Sequence, residues 1–122
     1  MRAAKLLIVD DDKDFVQILE FELTKQGYTI VKAYEAVQGL ERVRLEKPDL
    51  IILDIKIPDM PGDQFMKNLA KSQNTTPVIV LSNYVESQSL KLNYQNLGAK
   101  AVLSKKEENS VLFDTIKKAL KK

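Results

Sequence analysis

Strand and helix alternate five times along this sequence, which predicts a doubly wound α/β fold: a (βα)5 three-layer sandwich on a parallel sheet with right-handed crossovers. Three observations carry that prediction. Short apolar runs recur at Lys5–Val9, Thr29–Ala33, Leu50–Leu53, Val78–Leu81 and Ala101–Leu103. Apolar residues at the three-or-four spacing of one helical face fill the gaps between them. Gly27, Pro48 and Gly98 stand where a helix must hand over to a strand.

The first run, Leu6-Leu7-Ile8-Val9, stops on Asp10-Asp11-Asp12. The helix after it carries Phe15, Val16, Ile18, Leu19, Phe21 and Leu23, too many apolar residues for one stripe. At about 100° per residue, Val16, Leu19 and Leu23 share one face, whereas Phe15, Ile18 and Phe21 form a second ridge. A wide buried face accounts for Phe15 as well as exposure does, and Phe21 is harder to bury; an exposed ridge is a docking surface. Gly27 closes this helix ahead of Thr29–Ala33, and Leu40 and Val43 mark the second helix, stopped by Pro48. Leu50-Ile51-Ile52-Leu53 reads as a strand covered on both faces. It ends on Asp54, and Ile55 to Gly62, with two prolines and a glycine, must turn there. Phe65 and Leu69 mark the third helix, and Leu90, Tyr94 and Leu97 the fourth; between them Val78–Leu81 stops on Ser82. Ala101–Leu103 then leads into Ser104-Lys105, and Leu112, Ile116 and Leu120 form the last helical face. No linker, repeat or low-complexity segment interrupts the pattern, so residues 1–122 read as a single domain.

Composition narrows the chemistry. At 122 residues and 44% hydrophobic, one domain can bury roughly two thirds of its unfolded surface. The absence of cysteine excludes disulfides and thiolates, and the absence of histidine removes the commonest general base, so any metal must be oxygen-bound. No apolar run approaches the ~18 residues of a membrane span, and Met1-Arg2-Ala3-Ala4-Lys5 lacks a signal-type apolar region; a cytoplasmic protein without a membrane partner is expected. The net charge of +2 hides an asymmetry, with 12 acids and 9 bases in residues 1–61 against 5 and 10 in residues 62–122. The basic tail Lys117-Lys118-Ala119-Leu120-Lys121-Lys122 reads as a solvated helix end complementing the macrodipole, not as a nucleic-acid site.

The acids gather where chemistry is expected. Ligands of open parallel sheets collect outside the carboxyl ends of the strands, and Asp10, Asp11 and Asp54 all reach that edge. Helix capping by Asp11 or Asp12, with Asp14 in the first turn, explains one or two acids but not the set. Two carboxylates about 4 Å apart repel by roughly 4 kcal/mol at an effective dielectric near 20, so the cluster needs a cation, and oxygen ligands with open positions suit Mg²⁺. Ser82 and Lys105 add a hydroxyl donor and a mobile cation at two further strand ends.

This constellation resembles the receiver domain of two-component response regulators, from Lys5 to Leu120. The resemblance implies a five-stranded parallel sheet of order 2-1-3-4-5, the flavodoxin-like and CheY-like arrangement. It also implies that Asp54 is the nucleophile and phosphoacceptor, that Asp11 binds Mg²⁺ directly and Asp10 largely through water, and that the main-chain carbonyl of Lys56 completes the protein ligands. Ser82 matches the switch hydroxyl and Lys105 the lysine that pairs with the phosphoryl group. Ile57-Pro58-Asp59-Met60-Pro61-Gly62 resembles the turn after the phosphoacceptor, with Ile57 where methionine is usual. The implied activity is Mg²⁺-dependent transfer of phosphoryl from a kinase phosphohistidine to Asp54, a signalling event in which the chain catalyses only its own phosphorylation and dephosphorylation. The partners expected are a sensor histidine kinase or phosphotransfer protein, met through Phe15, Ile18 and as a further candidate Phe21, and a downstream protein. The chain itself would be a monomer or weak homodimer.

Three further positions depart from the family pattern. Val102 stands where an aromatic switch is usual, leaving Tyr84 as the nearest aromatic by sequence. Lys106 replaces a proline that supports a cis bond; a cis bond between two lysines costs about 2.5–4 kcal/mol, so a trans bond and an altered loop are expected. Asn83 replaces a small residue and is expected to slow self-dephosphorylation. Two alternatives compete: a degenerate receiver acting as a phosphorylation-independent binding module, and a haloacid-dehalogenase-like phosphatase with Asp10 as nucleophile. The latter lacks the expected Thr or Gly at Lys13, a late acidic pair and a cap insertion. The chain ends soon after its fifth helix, so no output domain is expected within it; a free-standing regulator and a fragment of a longer one both fit.

Overall fold

The computed structural model describes residues 2–83 and 87–121. Five strands, β1 (Lys5–Val9), β2 (Thr29–Ala33), β3 (Leu50–Leu53), β4 (Val78–Ser82) and β5 (Ala101–Ser104), alternate with α1 (Lys13–Lys25), α2 (Ala36–Glu46), α3 (Gly62–Lys71), α4 (Gln88–Asn96) and α5 (Asn109–Leu120). The strands form one parallel sheet in the order β2-β1-β3-β4-β5, the order the resemblance implies.

Two-residue alternation divides the sheet's side chains between two cores. Leu7, Val9, Ile51, Leu53, Val78 and Val80 pack with Val43, Phe65, Leu69 and Tyr94 on the side of α2, α3 and α4. Leu6, Ile8, Leu50, Ile52, Ile79 and Leu81 pack with Val16, Leu19, Leu23, Leu112 and Ile116 on the side of α1 and α5. The central strands β1 and β3 are therefore buried on both faces, which is why they read as continuous apolar runs.

Asp12 caps α1, its carboxylate accepting the Phe15 N–H at 3.1 Å. The two ridges of α1 separate as their spacing predicts. Val16, Leu19 and Leu23 are buried, Phe15 is half-buried against the same core, and Ile18 and Phe21 stay 64% and 63% exposed. The glycine stops hold: Gly27 and Gly98 adopt φ of +97° and +109°. Ahead of Pro48, Lys47 itself takes the left-handed conformation and ends α2.

Structure exceeds the sequence reading in two places. Strands β4 and β5 each run one residue further than predicted, because Ser82 and Ser104 pair in the ladder. The turn after Asp54 contains a short antiparallel hairpin, Lys56–Ile57 against Met60–Pro61, with Pro58 and Asp59 at its tip.

Candidate active site at the carboxyl edge of the sheet

The sheet ladder carries the backbone into the site. Asp10 N–H donates to Ala33 O at 3.0 Å and Asp54 N–H to Val9 O at 2.9 Å, one residue beyond the last paired strand positions. Val9 pairs with Leu53, so Asp10 and Asp54 leave adjoining central strands at the same level. Both are buried, at 2% and 6% exposure, while Asp11 is exposed. Carboxylate oxygens of Asp10, Asp11 and Asp54 lie within 4.8 Å of one another.

Lys105 enters from β5, its N–H held by Ser82 O at 3.1 Å. Its ammonium lies 2.7 Å from Asp10 Oδ2 and 3.4 Å from Asp54 Oδ2. The Phe15 ring covers the same ammonium, with Nζ 4.2 Å from the ring centroid. Burial would lower the lysine's pKa, but the hydrogen bond to Asp10 and the charges of Asp10 and Asp54 outweigh it and hold it above its ordinary value. For Asp10 burial is the largest influence and raises its pKa; hydrogen bonds from Lys105 and the Asp12 N–H oppose that rise without cancelling it.

Both Asp10 oxygens have a partner: Oδ1 accepts the Asp12 N–H at 3.0 Å and Oδ2 meets Lys105 at 2.7 Å. The Asp54 contacts are longer, with Oδ1 accepting the Lys56 N–H at 3.3 Å and Oδ2 facing Lys105 at 3.4 Å. Three acids against one ammonium leave residual negative charge in a partly buried mouth, and an all-oxygen donor set of this kind fits a hard divalent cation.

The other expected residues take defined places. Ser82 is fully buried at the end of β4; the register puts it one residue beyond the level of Asp54. Lys56 opens the hairpin directly after Asp54 and is exposed. Asn83 is exposed beside Ser82, while Tyr84 lies outside the described residues. Val102 is buried against the core shared with Tyr94. No peptide bond among the described residues is cis, so Lys105–Lys106 is trans as expected. In this loop Lys106 N–H donates to Ser104 Oγ at 3.1 Å, a bond proline has no hydrogen to make.

Sequence reasoning missed two participants. Phe15 was left between a buried face and an exposed docking ridge, yet it covers Lys105; its position in the first turn of α1, next to Asp10–Asp12, was the available signal. Asp59 was part of a turn motif, yet both its oxygens accept N–H groups from α2.

Comparison with known proteins agrees with this geometry. Residues 6–117 match the sequence model of the response regulator receiver domain. The chain is 32% identical over 120 residues to sporulation initiation phosphotransferase F of Bacillus subtilis, covering 98% of this chain and 96% of that one. It is 33% identical over 78 residues to the alkaline phosphatase synthesis transcriptional regulatory protein PhoP of the same organism, covering 64% of this chain but only 32% of that protein. The chain thus spans about a third of that regulator's length. The crystal structure of a CheY-like response regulator receiver domain protein from Methanospirillum hungatei superposes with a TM-score of 0.89 at 30% identity, covering 97% of this chain and 94% of that one. No helix among the described residues is long and apolar enough to cross a membrane. A sequence match from Leu6 to Lys117 and a fold match over nearly the whole chain have one meaning: this chain belongs to the response regulator receiver domain family.

Proposed function

We propose that this chain is a single receiver domain over residues 1–122 that accepts a phosphoryl group on Asp54 from a phosphohistidine of a kinase or phosphotransfer protein, in a cytoplasmic two-component pathway. The observation that carries this reading is the meeting of Asp54 and Asp10 at the mouths of adjoining central strands, with the Lys105 ammonium between them. Asp54 is favoured over Asp10 as nucleophile because the Asp10 oxygens are already held by short bonds. The same preference weighs against the dehalogenase-like reading.

In this reading an Asp54 oxygen attacks phosphorus in line, the P–N bond breaks, and the departing histidine nitrogen keeps its electron pair. Asp10, Asp11, Asp54 and the main-chain carbonyl of Lys56 would hold Mg²⁺, which supplies neutralising charge at the phosphoryl oxygens. Lys105, already held at Asp54, pairs with a phosphoryl oxygen in the product. The Ser82 hydroxyl donates to the same group and draws its loop inward. Moving such a loop from 1:99 to 99:1 needs about 5.5 kcal/mol of differential contact, within reach of a few charge-assisted hydrogen bonds. Beside this mouth the exposed Asn83 slows water's approach to the acyl phosphate, so Asn83→Ala should lose phosphate faster; an unchanged lifetime would argue against that role.

Ile18 and Phe21, exposed on α1, and Phe15 at the edge of the site form the docking ridge for the phosphodonor. The chain acts as a signalling phosphoacceptor and passes its state to a downstream protein. Incubation with acetyl phosphate and Mg²⁺, followed by location of the modified residue, tests the assignment: modification elsewhere than Asp54 would refute it.

A further inference from the structure

The N-terminus of α2 borrows its cap from a distant turn. Glu35, at the N-cap position, makes no side-chain capping bond. Asp59 supplies both bonds, Oδ1 accepting the Ala36 N–H and Oδ2 the Val37 N–H, each at 2.9 Å. These donors belong to the first helical turn, which has no partners within the helix, and a carboxylate there also meets the positive end of the helix dipole. Asp59 sits at the tip of the hairpin, whose opposite end is the Lys56–Pro61 pair. Lys56 N–H in turn reaches Asp54 Oδ1 at 3.3 Å.

We infer that Asp59 is a positioning residue, tying the Asp54–Lys56 turn to α2 so that the acceptor carboxylate and the Lys56 carbonyl stay at the metal-binding mouth. This rests on the Mg²⁺ site proposed above. The tether is anchored at both ends: two hydrogen bonds of 2.9 Å hold the hairpin tip to the helix, and Ala36 on the helix is buried at 1% exposure. Losing the carboxylate frees the hairpin to shift, and with it the carbonyl that follows the acceptor.

The test is calorimetric Mg²⁺ titration of the wild type, Asp59→Ala, Asp59→Asn and Asp49→Asn, with amide exchange at Ala36, Val37, Lys56 and Ile57. Asp49 is the control: it accepts hydrogen bonds from Lys5 N and Arg2 at the opposite edge of the sheet. Asp59→Ala should weaken Mg²⁺ binding about tenfold or more, the range for residues that orient metal ligands, and speed exchange at all four amides. Asp59→Asn, keeping one acceptor oxygen, should fall between it and the wild type, and Asp49→Asn should bind Mg²⁺ like the wild type. Wild-type Mg²⁺ affinity in Asp59→Ala, or an equal loss in Asp49→Asn, would overturn the inference. A wild-type protein that binds no Mg²⁺ would instead refute the metal site itself and take this inference with it.

Discussion

The Lys105 ammonium stands 2.7 Å from the Asp10 carboxylate, and the two side chains are only 8% and 3% exposed. A buried pair of this kind adds little net stability, but removing one partner leaves an uncompensated charge that costs about 3 kcal/mol or more. Lys105→Met should therefore destabilise the protein by about 3 kcal/mol in chelator-treated buffer. Added Mg²⁺, binding the native acids in place of the ammonium, should recover part of that loss. Urea unfolding with and without Mg²⁺ checks both statements; an equal loss in the two buffers would show that the metal does not reach Asp10.

Asp10 also sets a pH signature. Its pKa is raised in the folded protein, chiefly by burial, so between the ordinary aspartate value and the raised one the native state binds more protons than the unfolded state. The Asp10 contribution to stability is then complete below the ordinary value and is lost as pH rises through the raised one. Asp49 and Asp59, held low by backbone N–H groups, act with the opposite sign over the acid range. Comparing the wild type with Asp10→Asn isolates the Asp10 part: without metal, the variant should gain stability relative to the wild type as pH rises through that window. Thermal melts across the range would contradict this if the difference were constant.

Packing under α2 gives a prediction independent of chemistry. A Cβ on Gly39 would lie 2.9 Å from both methyls of Val9 and 3.2 Å from the Phe65 ring. Val9 and Phe65 are both fully buried, so any shift they make disturbs the core. Alanine would gain about 1 kcal/mol of helix propensity against an overpacking cost of about 1–3 kcal/mol, so Gly39→Ala should lose about 1 kcal/mol in chemical unfolding. A stabilised variant would show that α2 can move away from β1.

Much of this architecture was legible because burial on both faces writes itself directly into sequence. Leu6–Val9 and Leu50–Leu53 are continuous apolar runs for that reason, and the carboxylates that end them were visible as breaks in apolarity. The Lys105 position was legible from its place after the last strand. What sequence could not give was partnership across the chain. Nothing in Pro58-Asp59 indicates that its carboxylate caps a helix more than 20 residues upstream; Glu35, not one of the residue types that cap well through the side chain, shows that a cap is missing but not where one comes from. Phe15 was ambiguous because helical periodicity assigns a face but not what an edge residue covers; only the arrival of Lys105 from β5 decides that.

The α1 ridge yields a kinetic prediction. Ile18 is 64% exposed, and an exposed substitution away from the core shifts stability by no more than about 0.5 kcal/mol. Ile18→Asp should slow phosphoryl transfer from a partner kinase by about tenfold, the loss of roughly 1.4 kcal/mol at an interface anchor, while leaving phosphorylation by acetyl phosphate unchanged. Equal slowing with both donors would place the defect in the site rather than the docking surface.

The most direct measurement is mass-spectrometric location of phosphate after incubation with acetyl phosphate and Mg²⁺, for the wild type and for Asp54→Asn. One phosphoryl group on Asp54 in the wild type, dependent on Mg²⁺ and missing from Asp54→Asn, is the expected result. Phosphate on Asp10, or wild-type incorporation in Asp54→Asn, would contradict the assignment of Asp54 as the acceptor.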